Sequence, residues 1–517
     1  MKSRRRTGVI LILVLVLVAI LALCSLGFSE RMLTERRATQ IIGRRMQARV
    51  SAESGVEMAR LFLDRSSNDQ DEVGGWYDNP QRWRGVLVAD DGLPRDRGRF
   101  TLVAPRLENR APAGIRYGLE DESARINLCT ILKADQAVTD GAKKMLMALP
   151  GMTDAIADAI LDWIDADSTP RPQGAEADYY AALTPSYAPR NGPPVTIEEL
   201  LLVRGVTPQL LFGLDAAAMA GGGAGAGAGN GAIEGVDNSD GSMNHGWAAY
   251  LTVYSRESTL RADGTPKINL NGSDLKKLYD ALQKAVGADW ATFIVAYRQG
   301  GSQGSSSGAN AVAPAGQLDF SQKATATIAS VLDLIGVKTS AKFQGAKTKT
   351  VLNSPFSEDR SAMSTYLPKL LDNTTVSAEA VIRGRININQ ASWLVLQGIP
   401  GMTIDLANEI IAKRTLDPTV AGAAHRYETW ILTEGIVPLA TMKTMLPFVN
   451  AGGSVYRVQS IGHFEEGGSS AHLEVLLDAS KRPTNVLLWR DVSHLSLGGL
   501  AEGFGGSGPQ ASGAEKN

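Results

Sequence analysis

The chain has 517 residues, 44% of them hydrophobic, with 52 Lys and Arg against 54 Asp and Glu for a formal net charge of −2. That length allows several packed domains, and the even charge balance gives no general case for nucleic-acid binding. Only Cys24 and Cys129 occur, the first inside an apolar run, so no disulfide is expected and stability must come from cores or metals.

The N-terminus carries four cations, Lys2 and Arg4 to Arg6, then Gly8, then an unbroken apolar run over residues 9–23 that stays uncharged to Phe28. At about 1.5 Å per residue, that run crosses most of a bilayer core of roughly 30 Å. A cleaved secretory signal would have an apolar core of about 7 to 15 residues and a small-x-small site. Leu23 before Cys24 also argues against a lipoprotein site. A retained helix follows, with its basic end in the cytoplasm and residues from about 30 onward on the far side of the membrane. The short basic leader ending in glycine directly before the helix resembles the type IV pilin class of prepilins. That resemblance implies cleavage between Gly8 and Val9, with the helix kept. Most of that class has a glutamate at the fifth mature position, where this chain has Leu13. A carboxylate inside a membrane needs a partner, so Leu13 points to a terminal rather than a repeating subunit. A plain signal-anchor helix accounts for the same N-terminal residues equally well.

Beyond the apolar run, Ala52, Val56, Ala59 and Leu63 fall on one helical face, with arginines over much of the rest. One helix is expected over residues 9–65, and no heptad repeat marks it as a coiled coil. Residues 66–116 and 451–495 read as a divided antiparallel sheet, with strands expected over 99–105, 455–462, 472–477 and 486–490. Residues 221–231, almost only Gly and Ala, and 300–308, Gly and Ser, read as linkers or loop insertions. Residues 496–517 read as a disordered tail.

A repeat emerges between those strands. Arg125-Ile126-Asn127-Leu128, Lys267-Ile268-Asn269-Leu270 and Arg385-Ile386-Asn387-Ile388 share one pattern of a short strand whose Asn is placed to cap a following helix. Leu149-Pro150-Gly151-Met152-Thr153 and Ile399-Pro400-Gly401-Met402-Thr403 then lie between helical segments, with a looser copy at 202–208. These resemble helix-hairpin-helix units, in which glycine allows the tight turn and threonine caps the second helix. The first copy is followed by Asp154, Asp158, Asp162, Asp165 and Asp167 with no cation before Arg171, a surface that repels phosphate. Protein packing rather than DNA binding is therefore expected there; the second copy, with Lys413 and Arg414 beside Asp405 and Glu409, is ambiguous.

The acidic stretch 162–178 is the best chemical constellation. Asp-x-Asp at a helix end, followed by Glu176 and Asp178, supplies adjacent hard oxygens of the kind calcium takes. A solvated acidic helix end is the competing reading, and the spacing is not that of an EF-hand. Histidines, five in all, show no metal-ligand spacing, and 221–231 lacks the ending of a phosphate loop. No catalytic group is expected.

Asp162-Trp163-Ile164-Asp165-Ala166-Asp167, Gly174-Ala175-Glu176 with Tyr179-Tyr180, and Val195 through Gly205 resemble the signature of the type II secretion system minor pseudopilin K family. The resemblance implies an α+β fold: a long transmembrane and spine helix, a pilin-like antiparallel sheet, and an inserted helical domain with the hairpin repeats. It implies calcium in the helical domain, held by Asp165, Asp167, Glu176 and Asp178; Asp162, one helical turn before Asp165, is read as facing solvent. It further implies a subunit at the tip of the pseudopilus, joined to I and J type subunits, cut by prepilin peptidase and served by an inner-membrane secretion platform. The bulk would be periplasmic and no nucleic acid would bind. The expected divisions are residues 1–8, 9–65, 66–116, 117–215, 216–380, 381–450, 451–495 and 496–517, with 216–380 as an insertion. A membrane-anchored DNA receptor of competence type, built from the same hairpins on one membrane helix, is the alternative.

Overall fold

The computed structural model describes residues 7–108, 111–213, 242–261, 263–305 and 317–494. The leader through Arg6, the 221–231 run, the end of the 300–308 stretch and the 496–517 tail lie outside the described residues.

One helix, Thr7–Leu63, runs for 57 residues. Its apolar half has a mean hydropathy of 3.2 and buries nothing within the chain, and among the described residues it is the helix long and apolar enough to cross a membrane. The other half is amphipathic: Ala48, Ala52, Val56 and Ala59 are buried, as their spacing requires. Ala52, Val56 and Ala59 pack with Phe100, Leu102, Val458, Leu473 and Val475 of an antiparallel sheet, and Ala48 with Phe464 and Ala471.

The main path of that seven-stranded sheet takes Val86–Ala89, Gly98–Glu108, Val455–Phe464, Ala471–Asp478 and Asn485–Asp491 in order. The expected strands are thus present, each slightly longer than its alternating core. The third strand is central: Ile461 pairs with Thr101 on one side and with His472 on the other. The helix lies so close to it that a Cβ on Gly462 would sit 1.8 Å from the Ala48 carbonyl oxygen. Ser460 Oγ donates to the Ala52 carbonyl at 2.7 Å across the same contact.

The short strand Glu120–Asp121 also pairs with Val455–Phe464, Tyr456 opposite Asp121. The chain therefore leaves the sheet and rejoins it at one place, and residues 122–454 form an insertion. Asp121, fully buried, fastens the exit to the return: it accepts from Ser123 N at 2.8 Å, Gly453 N at 2.7 Å and Asn387 Nδ2 at 2.9 Å. Glu122, also fully buried, accepts from Arg457 Nε at 2.7 Å, Arg125 Nη1 at 3.3 Å and Thr252 Oγ1 at 2.5 Å.

Inside the insertion the repeat is real and goes further than the sequence pattern. Ile126–Asn127 pairs in parallel with Leu251–Thr252, Ile268–Asn269 with Thr374–Thr375, and Ile386–Asn387 with Val449–Asn450. Each pair clamps the two ends of a helical module. The three asparagines do not cap helices: Asn127, Asn269 and Asn387 accept from the backbone N–H two residues on, at 2.9, 2.9 and 3.0 Å. The chain turns at once after each strand, so the nearest free N–H is at i+2 and an Asx turn wins over a cap. The middle module, with helices Leu275–Val286, Ala288–Gly300 and Arg360–Asn373, shares one continuous apolar core with the modules before and after it.

Burial raises the Glu122 carboxyl, but Arg457 and Arg125 outweigh it and hold the group at about 2, against 4.5 when free. The stabilisation this gives is complete above pH 4.5 and is lost as pH falls toward 2. Glu122→Gln is expected to lower stability by about 3 kcal/mol at neutral pH, because it removes a buried charge shared by Arg125 and Arg457 and leaves them only Glu120 and Glu474. Denaturant unfolding across pH should show a flatter acid limb in the variant than in the parent.

Candidate metal centre

The acidic site is built on the helix Asp154–Ile164, whose start is fixed by Thr153 Oγ1 accepting from Ile156 N at 3.3 Å. Gly151, with φ of 69°, makes the turn from the preceding helix Gly141–Met147. The second hairpin copies this: Gly401 has φ of 86° and Thr403 Oγ1 accepts from Leu406 N at 3.3 Å. Ala157, Ile160, Leu161 and Ile164 face the core, which leaves Asp158 and Asp162 on the side covered by the following loop.

Asp162 does not face solvent, as the sequence had suggested, but is fully buried. It accepts from the backbone N of Arg171 at 3.2 Å and from its Nη1 at 2.8 Å. The loop closes over it in a turn from Arg171 O to Gly174 N at 2.9 Å. A Cβ on Gly174 would lie 1.8 Å from Asp162 Oδ2, so only glycine passes there. Asp158 takes the next stretch, accepting from Gln173 N at 3.2 Å and pairing with Lys143 Nζ at 2.9 Å. A helix face that looks polar in sequence thus serves as the floor for a loop.

That loop delivers Glu176 to the helix end. Carboxylate oxygens of Asp165, Asp167 and Glu176 all lie within 4.8 Å of one another. Asp178 is exposed on the short helix Ala177–Ala181 and is not in this group. Glu176 is only 5% exposed and neither carboxylate oxygen has a partner; Asp165 Oδ1, at the helix C-cap, is buried and unpartnered as well. Burial and the neighbouring Asp162, Asp165 and Asp167 charges raise the Glu176 carboxyl, and burial raises that of Asp165 against the pull of Arg171. Carboxylates at a helix C-terminus also face the negative end of its dipole. Three orphaned buried oxygens and an exposed carboxylate beside them form an all-oxygen donor set that suits a hard divalent cation.

The other expected motif residues form the wall behind this site. Trp163 Nε1 donates to Glu199 Oε1 at 2.9 Å and its ring stands 5.2 Å edge-on from Tyr180. Tyr180 is fully buried, accepts from Arg204 N at 3.3 Å, and burial pushes its hydroxyl up to about 12. Arg204 in turn holds the Gln173 carbonyl of the loop. At the second hairpin, buried Arg414 spends its guanidinium on the Ile388 and Ala391 carbonyls, and Lys413 pairs with Glu409 at 2.9 Å. Neither hairpin presents a free cation cluster at its turn, so the DNA-receptor alternative finds no support.

An apolar helix long enough to cross a membrane, a sheet built from both ends of the chain, and a large helical insertion with an acidic cluster mark a class of membrane-anchored protein. Comparison with known proteins narrows the class. Residues 124–217, which hold the acidic cluster, match the family model described as type II secretion system (T2SS), protein K. The type II secretion system protein K of Aeromonas hydrophila is 28% identical over 208 residues, covering 40% of this chain and 61% of that protein. The protein K of Pseudomonas aeruginosa is 33% identical over 97 residues, covering 17% of this chain and 29% of that protein. The chain thus matches 61% or less of the length of these relatives. A solved GspK-GspI-GspJ complex from enterotoxigenic Escherichia coli aligns with 88% of this chain and 99% of its own, at 12% identity and a TM-score of 0.37, too low to argue from.

Proposed function

We propose that the protein is a minor pseudopilin of the protein K type, a structural component seated at the tip of the type II secretion pseudopilus. The observation that carries this reading is the protein K domain at residues 124–217, inserted into a sheet that rides on a 57-residue helix. In this role the apolar half of the helix lies in the inner membrane and the sheet and insertion lie in the periplasm. Prepilin peptidase cuts between Gly8 and Val9, which frees the helix to enter the filament from the secretion platform. Leu13 leaves no membrane carboxylate to neutralise the amine of a subunit above, and the insertion, far bulkier than the sheet that carries it, obstructs that position. I and J type subunits are the expected neighbours below.

Asp165, Asp167 and Glu176 would hold calcium, without the expected fourth ligand Asp178, which stands outside the group. When bound, the ion supplies the positive charge that lets the buried carboxylates stay ionised. Binding to the folded chain alone stabilises it by mass action. Chelation is expected to lower the melting temperature of the full chain in detergent, and Asp165→Ala with Asp167→Ala to remove that response. A melt unchanged by chelator in the parent protein would refute the calcium assignment.

The processing step has its own test. Mass spectrometry of membrane-extracted protein from a host with prepilin peptidase should find an N-terminus at Val9. An intact Met1 would mark a plain signal anchor.

A further inference from the structure

Arg171 stands inside the acidic cluster with its guanidinium already engaged. Nη1 donates to Asp165 Oδ2 at 2.5 Å and to Asp162 Oδ1 at 2.8 Å. The two acceptors differ in what they would lose without it. Asp162 keeps a second donor in the Arg171 backbone N–H, at 3.2 Å from its Oδ2. Asp165 keeps nothing comparable on its side chain: Oδ1 is buried without a partner, and the guanidinium is the cation that faces Oδ2. The Arg171 side chain is 27% exposed and so has a path toward solvent, whereas Asp165 is fixed at the helix end.

Three carboxylates within 4.8 Å repel one another, and one guanidinium offsets a single unit of that charge. A divalent cation offsets two and takes ligands all around. The two cannot share Asp165 Oδ2 without bringing like charges together. We propose that Arg171 is the resident counter-ion of this site: it holds Asp165 Oδ2 while the site is free of metal, and a divalent cation taken by the unpartnered Asp165 Oδ1 with Asp167 and Glu176 binds against its charge. Arg171 thereby sets the affinity of the site and keeps its loop folded before the ion arrives. Its second hydrogen bond, to Asp162 Oδ1 at 2.8 Å, holds the guanidinium in place one helical turn away. This inference rests on the calcium reading above, and it is separable from it by experiment.

The experiment is calcium titration of the detergent-solubilised full chain by isothermal titration calorimetry, comparing the parent with Arg171→Gln and Arg171→Lys, with melts of each in chelator. Arg171→Gln is expected to bind calcium at least about tenfold more tightly while melting at a lower temperature in chelator. Arg171→Lys, which keeps the charge, should bind near the parental affinity. If the parent binds calcium and Arg171→Gln binds within twofold of it, Arg171 is a bystander ion pair and the inference falls while the calcium reading stands. If the parent gives neither heat nor a change in melting, both fall together.

Discussion

Everything in this molecule depends on the close contact between the spine helix and the strand Val455–Phe464. With Gly462 against the Ala48 carbonyl, no side chain separates the two backbones. The strand at that contact comes from near the end of the chain, while the helix and the strand beside it come from the beginning. The sheet can close only if everything between loops out and returns to the same point. That is why the insertion is fastened by a buried polar junction: Asp121 and Glu122 on the way out meet Gly453 and Arg457 on the way back. An apolar seam would bury area equally well. Charges that lose several kcal/mol when unpaired add a single permitted alignment between the sheet and the domain it carries.

The insertion repeats one solution three times. A two-residue parallel ladder closes each module, and an asparagine turns the chain immediately after it. The first module adds an acidic loop, and the helix that floors it does two jobs: its apolar face joins the core, and Asp158 and Asp162 bind loop backbone. The loop is therefore set by hydrogen bonds before any ion is considered. What the fold leaves unsettled is the charge of Asp165, Asp167 and Glu176, against which Arg171 sets one guanidinium, on Asp165.

Much of this was legible in the sequence, for physical reasons that differ by element. The spine helix was plain because an apolar run and a 3.6-residue period are both strong signals, and the C-terminal strands because alternation marks a half-buried sheet. The two Pro-Gly-Met-Thr turns showed themselves through their glycines and threonine caps. The middle module did not: its first two helices meet at Gly287 without that motif, and glycine-rich stretches before and within it gave it the look of a loop insertion. The closing strands Leu251–Thr252, Thr374–Thr375 and Val449–Asn450 were invisible, since two residues carry no period. Asp162 was misread because an aspartate under a loop and an aspartate in water have the same helical spacing. The pairing that reveals the difference is with Arg171, nine residues on, and depends on a turn that Gly174 permits.

The central claim is that this chain caps a filament built from related subunits, and assembly tests it most directly. The full chain, mixed in detergent with the I and J type subunits of the same secretion system, should form a complex with one copy of each by mass photometry. It should not form chains of itself at any concentration. A protein that stays monomeric beside those subunits, or that polymerises alone, would contradict the account.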